Sequence, residues 1–211
     1  MSRKPPFPSS PELLVLHAVR LLGMGDDDEV AGRFDLDRGV VSELLLDFEA
    51  MGWVTRVEFA GTGGWTLTSA GRTEGERRLA EELAATDSRP VVEAGYRAFL
   101  PRNEQLLRAA TDWQLRPSRT DPLAANDHTD GVWDQRVLDG LTGLSEDLRG
   151  ICRTLTARLG RFQGYDQRFS AALDRVHRGD LGWVNRPKVD SCHTVWMQLH
   201  EDLLATLALE R

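Results

Sequence analysis

The spacing of apolar residues follows a helical period, changes to alternation, and then returns to a helical period. Three segments in the first fifty residues predict helices. The third begins after Asp37, which is placed to cap it, and ends at the C-terminal stop Gly52. Its apolar positions recur at helical spacing: Val40, Val41, Leu44, Leu45, Phe48 and Met51. The alternating stretches "WVTRVEFA" and "WTLT" around "GTGG" predict a β-hairpin, and "SAGRTEGERRLAEELAA" predicts a helix after it.

Only helical patterns follow the stretch "ATDSRPVV", which is a plausible domain boundary. Four long amphipathic segments favour an antiparallel four-helix bundle. Pro101 marks a break or restart in the first of them, and Gly140, Gly143 and Gly150 weaken the second, so close packing must compensate. The sequence therefore predicts a mainly α protein: a flexible arm at 1–10, a first domain at 11–88 and a helical bundle at 89–211.

Length and composition narrow the class of protein. The 211 residues are enough for two independent cores. No apolar run approaches the roughly 18 residues of a membrane span, and no apolar region follows the basic start as in a secretory signal. We therefore expect a cytoplasmic protein without membrane contact. Cys152 and Cys192 are expected to be buried free thiols.

The charge is uneven along the chain. Residues 11–90 carry 16 acids against 8 Arg, whereas residues 91–211 carry 17 acids against 16 bases, and the arm adds two bases. The third predicted helix, with its hairpin, therefore lies in the acidic part of the chain.

Two stretches carry a resemblance to a known family. "DEVAGRFDLDRGVVSELLLDFEAMGWVTR" and "GWTLTSAGR" resemble the winged helix-turn-helix domain of MarR-like bacterial regulators, over about two-fifths of the chain. The resemblance implies a transcriptional regulator that binds double-stranded DNA as a homodimer. In such a domain the third helix presents its first residues to base edges, and the hairpin wing lies along the adjacent groove.

The resemblance assigns DNA contacts to three places. They are the start of the third helix, the wing and the exit from the wing: Arg38, Gly39, Ser42 and Glu43; Arg56, Thr62 and Gly63; and Arg72. This wing lacks the Asp-x-Arg usual in MarR-like proteins, and phosphate neutralisation needs positive charge that is scarce here. The alternative is a winged helix used for protein contacts, without DNA binding.

The second half has its own resemblance. "TDWQLR", "NDHTD" and "VDSCHTVWMQLHEDLLATLALER" look like a helical segment that follows similar winged helices in high-GC Gram-positive bacteria. Some of those proteins are free-standing regulators, and others belong to pyruvate, phosphate dikinase-like polypeptides that use phosphoenolpyruvate. The alternative function is therefore a regulatory module for such a metabolic enzyme. The chain has no phosphohistidine or nucleotide-grasp motif, so the activity itself does not follow.

Candidate chemistry in the second half is limited to binding. An aromatic pocket for a small organic anion effector is one hypothesis, with eight candidate residues: Trp113, Arg116, Asn126, His128, Trp133, His193, Trp196 and His200. The simpler interpretation is that the Trp residues anchor the core. A mixed site of Asp127, His128 and Asp130 with a histidine of the last helix is conceivable, but we predict no metal and no cofactor. No catalytic motif is present, so no enzyme activity is predicted.

Overall fold

The computed structural model describes residues 7–59 and 61–209, without the side chains of Phe59 and Thr62. This part of the chain is mainly helical and contains one small two-stranded antiparallel sheet. The elements are α1 Pro11–Leu22, α2 Asp27–Phe34, α3 Arg38–Ala50, β1 Val54–Phe59, β2 Thr62–Leu67, α4 Ser69–Thr86, α5 Arg89–Gln114, α6 Gly131–Thr156, α7 Tyr165–His177 and α8 Cys192–Leu207. Short 3₁₀ turns occupy Gly160–Phe162 and Leu181–Val184.

The first three helices each begin at a side-chain cap, and the cap predicted at Asp37 is confirmed. Ser10 accepts a hydrogen bond from the amide of Leu13, and Asp37 accepts one from the amide of Val40. Asp26 caps α2 in a reciprocal box, in which the amide of Asp26 donates to the side chain of Glu29 and the amide of Glu29 donates to Asp26. These bonds satisfy amides that the first turn of a helix leaves without partners.

The predicted hairpin is confirmed, and it pairs Val54 with Leu67 at one end and Phe59 with Thr62 at the other. A third segment joins it, because Gly25 and Trp65 exchange backbone hydrogen bonds of 3.2 and 2.8 Å. Gly64 permits this approach: a Cβ there would lie 2.9 Å from the backbone of Gly25. Gly71 is equally constrained, since a Cβ would lie 1.8 Å from the carbonyl oxygen of Trp53. The glycine of "LTSAGR" thus lets α4 start directly beneath the hairpin.

The chain divides into two compact units that are not contiguous in sequence. The first comprises 1–92, 157–161 and 200–211, and the second comprises 93–156 and 162–199. The segment predicted as a separate bundle, 89–211, therefore supplies residues to both units. A boundary between independently folding domains near residue 88 stays a prediction, as does the four-helix arrangement.

The core of the first unit lies between α1, α2, α3 and the hairpin. Apolar side chains from each of these elements are almost completely buried there: Val15, Leu16, Val19, Val30, Val41, Leu45, Phe48, Val54 and Trp65. α1 contacts α2, α3, α4 and β2, which makes it the central element of this unit.

The second unit contains α6 packed on α7, and α7 in turn contacts the 3₁₀ turn at Leu181–Val184. Trp196 of α8 is buried between the rings of Phe99 and Phe169, at centroid distances of 4.8 and 5.8 Å, and its indole donates to Asn103. Cys152 and Cys192 are both buried and free, as predicted.

The expectation about Pro101 is wrong, because α5 continues through this residue from Arg89 to Gln114. The glycines of α6 are exposed, and a Cβ at Gly140, Gly143 or Gly150 would meet nothing within 4 Å. A stripe of buried apolar residues on another side of α6 provides the packing that compensates for them.

The segment 1–10 was predicted to be a flexible arm, but its described residues contact the rest of the first unit. Phe7 forms a parallel bridge with Leu159, and its amide donates to the carbonyl of Arg158 over 3.0 Å. The hydroxyl of Ser9 donates to the buried carboxylate of Glu82. Residues 1–6 lie outside the described part of the chain.

A cluster of charged side chains is buried inside the first unit. The guanidinium of Arg161, which has no exposed surface, contacts the carboxylates of Glu82 (2.8 Å) and Asp202 and donates to the hydroxyl of Thr206 (2.7 Å). His17 lies with Nε2 2.9 Å from the same Asp202. The cluster therefore ties 157–161 and the end of α8 to α1 and α4.

We expect Arg161→Met to lower the free energy of unfolding by about 3–5 kcal/mol, because it leaves the buried carboxylates of Glu82 and Asp202 without their cation. Urea denaturation at neutral pH measures the change. Arg77→Met is the matched control, since Arg77 pairs with Glu74 and Glu81 at the surface of α4 and its removal should hardly move the midpoint. Equal midpoints for the two variants would contradict a stabilising role of the buried cluster.

The same cluster predicts lower stability in acid. Burial lowers the pKa of His17, and the neighbouring Asp202 only partly offsets this. Burial alone would raise the pKa of Asp202, but Arg161 and His17 hold it well below its usual value. Both groups bind protons more readily when unfolded, so stability is complete above about pH 6.5 and falls on acidification, first through His17 and then, below about pH 4, through Asp202.

His17→Gln should therefore flatten the dependence of the urea midpoint on pH between about 6.5 and 5. His177→Gln is the control, because His177 is exposed at the end of α7. An unchanged slope in the His17 variant would show that this histidine binds protons equally in the folded and unfolded states.

Candidate interaction surface on the third helix

α3 has a buried side and a fully solvated side. Val41, Leu45 and Phe48 enter the core of the first unit, whereas the residues of the first turn, 38–40, are exposed. The cap at Asp37 fixes where the helix begins, so the exposed first turn follows from the local sequence.

Asp27 fixes α3 relative to its neighbours. Its two carboxylate oxygens accept hydrogen bonds from the indole of Trp65 on β2 (2.7 Å) and the hydroxyl of Ser42 on α3 (2.5 Å). Burial acts to raise the pKa of Asp27, but these hydrogen bonds, with Arg56 and Arg38 nearby, lower it overall. The hydroxyl of Ser42, predicted to contact DNA, is thus bonded within the protein.

Each arginine predicted to contact DNA has a partner inside the first unit. Arg38 forms an exposed ion pair with Asp28, with Nε 2.6 Å from Oδ1. Arg56 lies over the ring of Trp65 at 4.5 Å, and Arg72 lies 3.8 Å from Glu201. The positive charge available to a ligand of α3 is therefore smaller than a count of arginines suggests.

The remaining residues that were predicted to contact DNA add no positive charge to this surface. Gly39 and Glu43 are exposed on α3, and Gly63 is exposed on β2 opposite Glu58. The side chain of Thr62 lies outside the described part of the chain.

Five residues form what we call the outward face of α3: Val40, Glu43, Leu46, Asp47 and Met51. Leu46 and Met51 are 58% and 56% exposed, and at about 3.6 residues per turn the exposed Glu43 and Asp47 fall between them around the helix. Residues 26–67 contain ten Asp and Glu against three Arg, a net charge of −7. The outward face therefore combines exposed apolar side chains with carboxylates, in a segment that is strongly negative.

From the sequence, no role is assigned to Asp27 and Asp28. Of the three consecutive Asp residues, Asp26 caps α2. The available signal was the run of three Asp before a helix, since the residues after the cap are left with carboxylates for other partners.

Five of the eight residues of the proposed effector pocket do come together in the second unit. The amide of Asn126 donates to Asp134 (2.8 Å) and to the carbonyl of Trp113 (3.2 Å), and Nδ1 of His128 lies 2.9 Å from Asp134. The ring of His128 lies 4.6 Å from that of Trp113. Arg116 pairs with Asp130 at 3.2 Å.

Trp133 belongs to the same cluster, since its indole donates to the carbonyl of Asp112 (2.7 Å) and Arg136 covers its ring at 4.2 Å. These polar groups bond to each other, which holds the loop 115–130 against the ends of α5 and α6. The geometry favours a structural role for this cluster, which is to hold the loop in place. Binding of an effector stays a prediction.

The other three residues lie elsewhere. Trp196 is buried in the aromatic core of the second unit, and burial lowers the pKa of His193 at the start of α8. His200 belongs to the first unit. Among the described residues, no three His, Cys, Asp or Glu side chains form a group able to hold a metal ion. None of the described helices is both long and apolar enough to cross a membrane.

Comparisons of the chain with protein families, with curated proteins and with solved structures found no match.

Two adjacent leucines test the orientation of α3. Leu45→Ala should cost about 2–5 kcal/mol of unfolding free energy, because Leu45 is completely buried. Leu46→Ala makes the same chemical change on the outward face and should leave the urea midpoint within about 0.5 kcal/mol of the wild type. A similar large loss in both variants would mean that the outward face is covered in solution.

Proposed function

We propose that the first unit is a winged helix that acts as a protein-docking module, with the outward face of α3 as its recognition surface and a basic protein surface as its ligand. The order of α1, α2, α3, hairpin and α4 supports the winged-helix assignment. The observation that carries the choice of ligand is the outward face itself, where exposed apolar residues alternate with carboxylates in a strongly negative segment. Protein interfaces combine apolar and polar side chains in one surface.

The charge argues against DNA as the main ligand. A duplex carries one negative charge per roughly 1.7 Å, and neutralising its phosphates supplies most of non-specific affinity. Arg38 is the single basic residue of α3, and it has Asp28 as a partner, whereas Glu43 and Asp47 would repel phosphates. A metabolic enzyme remains one class of partner for this module, as the resemblance of the second half implies.

A homodimeric DNA-binding regulator is the second candidate, and one observation favours it. The first turn of α3 is exposed beside a hairpin, which is the arrangement that places a helix in the major groove. An exposed ion pair such as Arg38–Asp28 is weak, so the arginine is available to a phosphate at small cost.

Fluorescence anisotropy with two labelled probes tests the choice. One probe is a duplex of the protein's own upstream region, and the other is a helical peptide with leucines on one side and Lys and Arg around them. We expect the wild-type protein to bind the peptide in a salt-sensitive manner and to bind the duplex no more tightly than about 0.1 mM. Glu43→Arg with Asp47→Arg should lose the peptide and gain affinity for the duplex.

Asp139→Arg with Glu146→Arg is the matched control, because both residues are exposed on α6 and the change in net charge is equal. This control variant should bind the peptide and the duplex with the same affinities as the wild-type protein. Submicromolar binding of the wild-type protein to the duplex, weakened steeply by salt and by Arg38→Ala, would instead establish the DNA-binding regulator.

A further inference from the structure

The second unit carries an exposed basic surface, which we call the basic patch. It consists of Arg175, Arg178, Leu181, Arg186 and Lys188, and all five residues are exposed. Residues 175–188 contain these four bases against one acid, Asp180, a net charge of +3, and the exposed Asp174 and Asp190 flank this segment. The patch extends over the end of α7 and the 3₁₀ turn that packs on it.

The local structure holds the patch in place. The guanidinium of Arg175 lies over the ring of Trp183 at 4.1 Å, and Arg186 pairs with Asp180 at 3.0 Å. Leu181 adds an exposed apolar side chain to this segment. Exposed bases with an apolar residue among them are the chemical complement of the carboxylates and apolar residues on the outward face of α3.

We propose that the partner of the outward face of α3 is the basic patch of a second copy of the chain. This inference rests on the proposed docking function and names its first ligand. Opposite potentials on two surfaces favour association and fix their register, and the apolar residues on each side are removed from water when they meet. A two-fold axis forms the contact twice, which closes the assembly as a dimer; without such an axis, the contact would continue from copy to copy.

A charge-swap experiment on the full-length protein tests the contact. The first variant, Glu43→Arg with Asp47→Arg, makes the outward face positive. The second, Arg178→Glu with Lys188→Glu, makes the basic patch negative. Each variant alone then presents like charges at the contact, whereas a mixture of the two again presents opposite charges at both contacts of the dimer.

Sedimentation equilibrium gives the mass of each species. We expect the wild-type protein to self-associate at about 0.01 M salt and to dissociate at about 1 M, where the screening length falls from roughly 30 to 3 Å. Each variant alone should raise the dissociation constant by at least about a hundredfold, since like charges brought together cost several kcal/mol. The equimolar mixture should recover the association of the wild type.

Matched controls separate this contact from a general effect of net charge. Asp139→Arg with Glu146→Arg and Arg149→Glu with Arg153→Glu make the same changes on exposed positions of α6, and both should associate like the wild type. The proposal is overturned if the wild-type protein is monomeric at low salt, if either variant alone still associates, or if the mixture stays monomeric. Binding of the basic peptide in those cases would retain the docking module and exclude only the second copy as its partner.

Discussion

The buried cation of Arg161 is the constraint on which the first unit depends. A guanidinium without exposed surface is stable inside a protein only when carboxylates surround it, and here Glu82 and Asp202 do so. Because these three residues come from three distant parts of the chain, the fold cannot separate them without leaving a charge buried and unpaired. The cluster thereby makes 157–161 and the end of α8 part of the unit that contains α3. The unit that presents the candidate surface is thus held together by the end of α8 as well as by segments close to α3 in sequence.

Features that depend on neighbouring residues could be predicted from the sequence. The caps at Ser10 and Asp37, the hairpin and the end of α3 before Gly52 all follow from side chains within a few positions of the backbone they bond. Pro101 was misjudged because a proline prevents a helical hydrogen bond only locally, and the apolar packing of a 26-residue helix can outweigh that loss. The Arg161 cluster was not predicted because no local pattern reveals which of many acids will meet a given arginine across the fold.

The candidate surface, too, could be predicted from the sequence only in its local features. The acidity of α3 could be counted from the sequence, and its buried side followed from the apolar period. The sequence could not show that Asp28 pairs with Arg38 or that Asp27 uses the hydroxyl of Ser42 to hold α3 against β2. These contacts change the chemistry of the surface. Side chains that the sequence suggests for binding a ligand already bond within the protein and position the helix. The effector hypothesis meets the same difficulty, since Asn126, His128 and Asp134 bond to one another.

Shape and charge make separate demands on a recognition helix. A small helical scaffold with a hairpin determines that α3 is presented to solvent, and this demand is met by buried residues that no ligand touches. The ligand is selected by the exposed residues, which can change without disturbing the core, so a fold suited to DNA can serve another partner. A duplex would meet a local charge of −7 that already includes the one arginine of α3, while the exposed Leu46 and Met51 would gain nothing from a phosphate backbone. For a basic protein surface, the carboxylates of α3 attract and the same apolar side chains are removed from water, so all five residues of the outward face favour this ligand.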